Sequence, residues 1–188
     1  MSRHPRVFAS LLALCLVGIA SAAPAAEPAK SPALSAEQAE LGFLVGKWTM
    51  SGSLESHPLF ASTAVTGKMT CEWFAGQFAV LCRVEQQSKS AGAPTKALRI
   101  FGYSPEAKAY TSYGLTDTGH VSIDVDLGSF AGGAWTFTAD ERVLNGQKVK
   151  FREQLTKVSP TSFKLSQELA ADGGAWRPVA SASFTKVR

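Results

Sequence analysis

Two arginines in predicted strands, Arg99 and Arg152, are the side chains best suited to hold a ligand. A guanidinium pairs with a carboxylate or phosphate through two parallel hydrogen bonds, so either residue would orient an acidic ligand if it faced a cavity. Strand alternation allows both orientations, because the neighbours Leu98 and Ile100 have an equal claim to the interior. The alternative for Arg99 is a cation–π contact or a surface role. Arg152 shares its strand face with Lys148 and Lys150, which also allows a place on the outside.

A second group of polar residues, His120, Asp124 and Asp126, shares one face of a predicted strand whose other face is apolar. Residues two apart in a strand lie about 6.5–7 Å from each other, too far for the two aspartates to share one ion unaided. The pattern therefore favours a solvated outer face over a metal or acid–base site.

Motifs for catalysis are missing from the sequence. Beyond residue 22 the histidines are His57 and His120, and there is no nucleophile elbow, no His-Glu-x-x-His and no phosphate-binding glycine loop. Cys71 and Cys82 lack the further Cys or His partners of a zinc site, so no metal is predicted. A hydrolase-like enzyme would need His120 beside Asp117 or Asp124, and we regard it as the lesser alternative.

Aromatic residues spread over many of the predicted strands, as they would in a cavity lining or in an ordinary filled core. Together with the two arginines they are the candidate ligand-binding residues: Trp48, Trp73, Arg99, Tyr103, Tyr113, Trp135 and Arg152.

The N-terminus has the pattern of a secretory signal peptide over residues 1–22, with Arg3 and Arg6 before an apolar run and small residues at the cleavage site. Residues 23–34 are rich in Pro and Ala and predict a flexible linker. Residues 35–188 are predicted to form a single domain, in the periplasm or outside the cell. No later segment is long enough for stable membrane insertion.

Charge and composition limit the partners. Removing Arg3 and Arg6 from 19 basic residues leaves 17 against 15 acidic ones, a net charge near +2. This balance argues against a nucleic-acid partner. The oligomeric state is not indicated by the sequence.

Residues 65–84 predict a hairpin with Gly76-Gln77 as a two-residue type II′ turn. Trp73 then lies opposite Val80, and Cys71 opposite Cys82. Opposed cysteines favour a disulfide, with two buried free thiols as the alternative.

The remaining pattern is one short helix followed by alternating strands. Ser35 with Gln38 forms a capping box for a helix over 36–43. With the hairpin, the predicted strands number about ten, and short turns make their neighbours antiparallel. Such a meander closes most simply into an up-and-down, lipocalin-like barrel. The other strands are 46–54, 95–103, 109–115, 120–127, 135–140, 148–158, 162–169 and 176–187.

Several motifs follow the predicted helix in a fixed order: Gly46-x-Trp48, Gly102-Tyr103-Ser104-Pro105 with Tyr110, Lys150-Phe151-Arg152-Glu153 and Asp172-Gly173-Gly174-Ala175-Trp176. Their order and spacing resemble the bacterial domain of unknown function 1579 family. The resemblance implies a calycin-like fold and no known activity. Tyr113 to Asp117 departs from the Trp-x-Asp run that family members often carry.

The opening Gly-x-Trp is also similar to nitrobindin-type haem barrels, which ligate iron through a histidine near the C-terminus. No histidine follows His120, so neither haem nor another cofactor is predicted. The leading hypothesis is a barrel that binds a small hydrophobic or carboxylate-bearing ligand without catalysis. A filled barrel acting as a structural or interaction module is a further alternative.

Overall fold

The computed structural model describes residues 33–56, 62–89, 93–117, 125–144 and 146–188. The predicted signal peptide and most of the linker lie outside these residues. So do His57, His120 and Asp124.

A short helical segment precedes the sheet and closes one end of it. Helix α1 (Ala36–Leu41) continues into a 3-10 turn over Gly42–Leu44. The capping box forms as predicted: the Ser35 amide donates to Gln38 Oε1 at 2.8 Å, and the Gln38 amide donates to Ser35 Oγ at 3.2 Å. The Trp48 indole N–H donates to the Leu44 carbonyl at 2.8 Å and so fixes the turn to the first strand.

Ten antiparallel strands make a closed barrel, which confirms the predicted fold class. The strands are β1 (Gly46–Leu54), β2 (Thr63–Trp73), β3 (Ala79–Ser88), β4 (Thr95–Ser104), β5 (Ala109–Thr116), β6 (Asp126–Ala131), β7 (Ala134–Thr138), β8 (Arg142–Leu144), β9 (Gln147–Ser159), β10 (Ser162–Ala171) and β11 (Arg177–Lys186). From β1 to β7 each strand pairs with the next along the chain, and the ring continues through β9, β10 and β11 back to β1. The short extra strand β8 pairs with the start of β9.

The hairpin of β2 and β3 has the predicted register, with Trp73 opposite Val80 and Cys71 opposite Cys82. The two cysteines are joined by a disulfide. The turn is different from the prediction. The Gln77 amide donates to the Phe74 carbonyl, and Gly76 has φ 81° and ψ −4°, the values of the third position of a type II turn.

Strand β6 continues past the end of its predicted counterpart at 120–127, of which residues 120–124 lie outside the described part of the chain. Gly128, which the sequence places in a loop, lies inside β6, and the chain turns at Gly132-Gly133 instead. A Cβ on Gly128 would come 2.6 Å from the ring of Phe137, so this glycine permits the close approach of β6 and β7. The apparent turn signal is therefore a packing requirement.

The main core lies in the half of the barrel next to α1, the helix end. Trp48 packs edge-on against Phe163 with ring centroids 5.0 Å apart, and Phe163 stacks on Phe184 at 4.3 Å. Lys157 bonds to Glu40 of α1 at 2.5 Å, and its ammonium lies 4.9 Å from the Phe43 ring. These contacts hold the helix over a filled interior. None of the described helices has the length and apolar character of a membrane span.

Candidate functional site

An ion pair crosses the lumen of the barrel. Arg99, in the middle of β4, directs its guanidinium to Glu153 on β9, with Nη2–Oε1 at 2.6 Å and Nη1–Oε2 at 3.1 Å. Strands β4 and β9 lie four strands apart around the ten-stranded ring, so they face each other across the interior. The bidentate geometry makes this a strong, directional contact. We call it the lumen bridge.

Neighbouring strands supply further hydrogen bonds to the lumen bridge. Gln167 of β10 donates its side-chain amide to Glu153 Oε2 at 2.6 Å, and Arg99 Nη2 also donates to Ser112 Oγ of β5 at 2.8 Å. Both carboxylate oxygens of Glu153 and both terminal nitrogens of Arg99 are therefore engaged.

A second pair of charges, Asp126 and Arg142, lies beside the bridge. Asp126 begins β6 directly opposite Ser112, and its Oδ1 lies 3.6 Å from Arg142 Nη2, too far for a hydrogen bond. Within the described part of the chain, Asp126 Oδ1 and Arg99 Nε are buried and have no hydrogen-bond partner. Buried polar atoms are usually satisfied, so this acceptor and this donor mark a place where a partner belongs.

The exposure of inward-facing side chains changes at the lumen bridge. On β3, β4 and β5 the residues toward the helix end are buried, whereas those beyond the bridge are only partly buried. The Arg99 side chain itself is 24% exposed although it points into the barrel. The pairs, buried member first, are Cys82 and Val84, Phe101 and Ala97, and Ser112 and Gly114. Across the lumen, Val149, Leu169 and Val179 lie beyond the bridge as well, but they are buried in a second apolar cluster. The interior beyond the bridge is thus packed along β9, β10 and β11 and partly solvent-accessible along β3, β4 and β5, and we call this region the open half.

Burial and charge act in opposite directions on the carboxylates. Burial alone would raise the pKa of Glu153, but the Arg99 guanidinium and the Gln167 amide outweigh it, so the pKa is lowered. For Asp126 burial dominates, and its pKa is raised in spite of Arg142 and Arg99. Desolvation opposes the charge of Arg99, yet Glu153 raises its pKa, so it stays protonated.

A model of the family described as "Protein of unknown function (DUF1579)" matches residues 34–186. The chain belongs to this family. No curated protein matches the chain. Among solved structures, Rv2717c from M. tuberculosis has a TM-score of 0.58 and 13% identity, covering 83% of this chain and 100% of that chain. The S-type phycobiliprotein lyase CPES from Guillardia theta has a TM-score of 0.53 and 12% identity, covering 82% and 93%. At these identities the likeness shows the fold alone.

In this DUF1579 domain, Arg99 is the one predicted ligand-binding residue that lies at the lumen bridge. Trp48 and Trp135 are 1% exposed in the filled core, where they pack against other side chains. Trp73 and Tyr103 are partly buried at the helix end, away from the open half.

Tyr113 and Arg152 lie on the outer face of the barrel, contrary to their prediction as ligand contacts. Tyr113 alternates with the buried Tyr110 and Ser112, which take the interior of β5. Arg152 pairs with Glu168 at 2.6 Å and stacks over Trp176 at 4.5 Å, because its neighbour Glu153 is the inward residue of β9.

The predicted orientation of Asp126 is also reversed, since its carboxylate faces the interior while Leu127 is 51% exposed. Glu153, Gln167, Ser112 and Arg142 were not singled out by the sequence. A signal for Glu153 does exist: it is the one carboxylate among inward-facing apolar neighbours of β9.

Among the described residues of this DUF1579 domain, no metal site accompanies the lumen bridge. No three His, Cys, Asp or Glu side chains of that part of the chain cluster closely enough to hold a metal ion. An open depression of about 360 Å³ does lie at the barrel wall. Its lining includes inward-facing Met50 and Gln86 as well as outward-facing Thr66 and Lys68, and it does not include the bridge residues.

The two carboxylates predict opposite effects of pH on stability. The lowered pKa of Glu153 means that its ionised form stabilises the fold above the ordinary carboxylate range, and that this contribution is lost as pH falls through the folded-state pKa. The raised pKa of Asp126 gives a contribution that is present at low pH and lost as pH rises. We expect Glu153→Gln to flatten the acid dependence of the free energy of unfolding and Asp126→Asn to steepen it. Urea denaturation at a series of pH values below neutrality measures both, and equal slopes in the two variants would contradict the assignment.

Proposed function

We propose that the domain binds a small amphipathic molecule in the open half of the lumen, without catalysis. One observation supports this most directly: the inward-facing residues of three adjacent strands lose their burial beyond the lumen bridge. A barrel whose role was purely structural would gain stability by filling this space. Polar groups on an otherwise apolar wall are typical of small-molecule sites.

The walls of the open half are mainly apolar, and its floor is polar. Val84, Ala97 and Phe151 are inward-facing and partly buried, and the bridge with Asp126 lies deeper. A ligand with an apolar body would bury it against these walls and place its polar end on the floor.

Ligand binding can be tested by filling the lumen. Ala97 faces inward and its neighbour Leu98 faces outward, so Ala97→Trp obstructs the open half while Leu98→Trp adds the same group outside. With the uncharged fluorescent probe N-phenyl-1-naphthylamine, we expect Ala97→Trp to weaken binding at least tenfold and Leu98→Trp to leave it within twofold. Thermal melts of both variants establish that they fold.

Equal binding by both variants, or no saturable binding by the wild type, would contradict the proposal. In the second case a structural role for the barrel would be favoured.

We also propose that the domain acts outside the cytoplasm. The signal-like residues 1–22 support export, and a Cys71–Cys82 disulfide suits an oxidising compartment. Native mass spectrometry of the protein recovered from a host that exports it gives the mass of the chain, which shows whether residues 1–22 have been removed. The same spectrum gives the mass of any bound molecule. A chain that retains residues 1–22 would contradict export.

A further inference from the structure

The charged groups at the floor of the open half balance each other. Arg99 and Arg142 carry two positive charges, and Glu153 and Asp126 carry two negative ones. The four side chains are between 10% and 30% exposed, so water screens them less than it would at a surface. A ligand therefore meets a floor with no net charge from these four groups.

We propose, on the basis of the function proposed above, that the ligand presents an uncharged end that both donates and accepts hydrogen bonds. A hydroxyl group or a primary amide has this chemistry. The end would lie beside the lumen bridge, with the apolar body along the walls of the open half.

The partners of Arg99 argue against a carboxylate ligand. Both terminal nitrogens of the guanidinium already donate to Glu153 and Ser112. A ligand carboxylate could replace Glu153 only by leaving that residue charged and unpaired in the interior, and otherwise it would lie beside two like charges. An anionic end is therefore disfavoured on this floor.

A cationic end is also disfavoured, because the negative charges of the floor are already balanced by positive ones. It would find Glu153 fully bonded to Arg99 and Gln167, and it would approach the positive charge of Arg142. An uncharged end carries neither penalty.

The unsatisfied atoms of the site fit an uncharged end of this kind. Arg99 Nε is a buried donor and Asp126 Oδ1 a buried acceptor, and neither has a partner within the described residues. A hydroxyl or an amide has both the acceptor that Arg99 Nε lacks and the donor that Asp126 Oδ1 lacks. A simple anion offers only acceptors, and an ammonium only donors.

The experiment compares three probes of equal chain length: dodecanol, laurate and dodecylammonium. Affinities are measured at neutral pH by displacement of N-phenyl-1-naphthylamine from the folded domain. We expect dodecanol to bind at least tenfold more tightly than either charged probe. Laurate or dodecylammonium binding as tightly as dodecanol would overturn the inference.

A variant with a changed charge allows each probe to be compared with itself on two forms of the protein, so that differences in solubility between probes do not affect the result. Asp126→Asn keeps the size of the side chain and the lumen bridge, and it leaves the floor with one net positive charge. We expect it to improve laurate binding about tenfold, the effect of one charge at short range in a partly buried site, and to weaken dodecylammonium binding. Glu168→Gln makes the same change of charge on the outer face and should alter neither affinity. An unchanged laurate affinity in folded Asp126→Asn would overturn the inference.

The outcomes separate this inference from the proposed function. If none of the three probes and no N-phenyl-1-naphthylamine binds, the proposed function fails and the inference fails with it. If laurate binds best, the lumen still binds ligands, and only the uncharged end is wrong.

Discussion

Replacing Glu153 with leucine is expected to lower the free energy of unfolding by about 3–5 kcal/mol, the usual cost of breaking a buried ion pair from one side. The variant leaves Arg99 charged and without its main partner in a side chain that is only 24% exposed. Gln167 also loses its acceptor. Urea denaturation monitored by tryptophan fluorescence measures the loss.

Two controls identify the cause of this loss. In the double variant Arg99→Met with Glu153→Leu, no unpaired charge remains, so most of the stability should return. The outer pair joins the same two residue types, Arg152 of β9 and Glu168 of β10, but its side chains are 36% and 33% exposed. Glu168→Leu should therefore cost less than about 1 kcal/mol. A double variant as unstable as Glu153→Leu, or an equal cost at Glu168, would show that the buried charge is not the cause.

Removal of the Cys71–Cys82 disulfide is expected to lower the free energy of unfolding by about 2–3 kcal/mol, because the bond closes a short loop and so restricts the unfolded chain. The cysteines are 11 positions apart and almost fully buried, at 3% and 0% exposure. The Cys71→Ala and Cys82→Ala double variant, compared with the wild type in urea, measures the change.

Reductant provides the control for this prediction. Adding it to the wild type should bring the stability near that of the double variant, while the double variant itself should not respond. If the wild type were equally stable with and without reductant, the disulfide would contribute nothing and the loss in the variant would come from the small cavities that alanine leaves.

The sequence was sufficient for the barrel because local patterns set it. The capping box at Ser35, the register of Cys71 with Cys82 and the short turns all depend on neighbours in the chain, and all are present in the structure. The C-terminal end of strand β6 shows the limit of such reasoning. Gly128 falls between the predicted strands 120–127 and 135–140, but it lies inside β6 because it packs against Phe137.

The candidate site was harder to predict, since it depends on which face of each strand points inward. Along β4 both faces contain apolar residues, so periodicity does not decide between Arg99 and Leu98. Along β6 the apolar Leu127 lies outside and the acidic Asp126 inside, the reverse of the ordinary rule. These charges come together only when strands distant in the sequence pair, and no pattern of neighbouring residues predicts that pairing.

The separation of the bridge partners along the chain has a consequence for how the barrel forms. Arg99 and Glu153 are 54 positions apart and meet only when the strands between them are in place. Until then each ion remains in water at no cost, so the contact contributes little before the ring closes. We infer that the contact mainly slows unfolding of the completed barrel. In stopped-flow experiments Glu153→Leu should therefore unfold faster than the wild type while refolding at nearly the same rate.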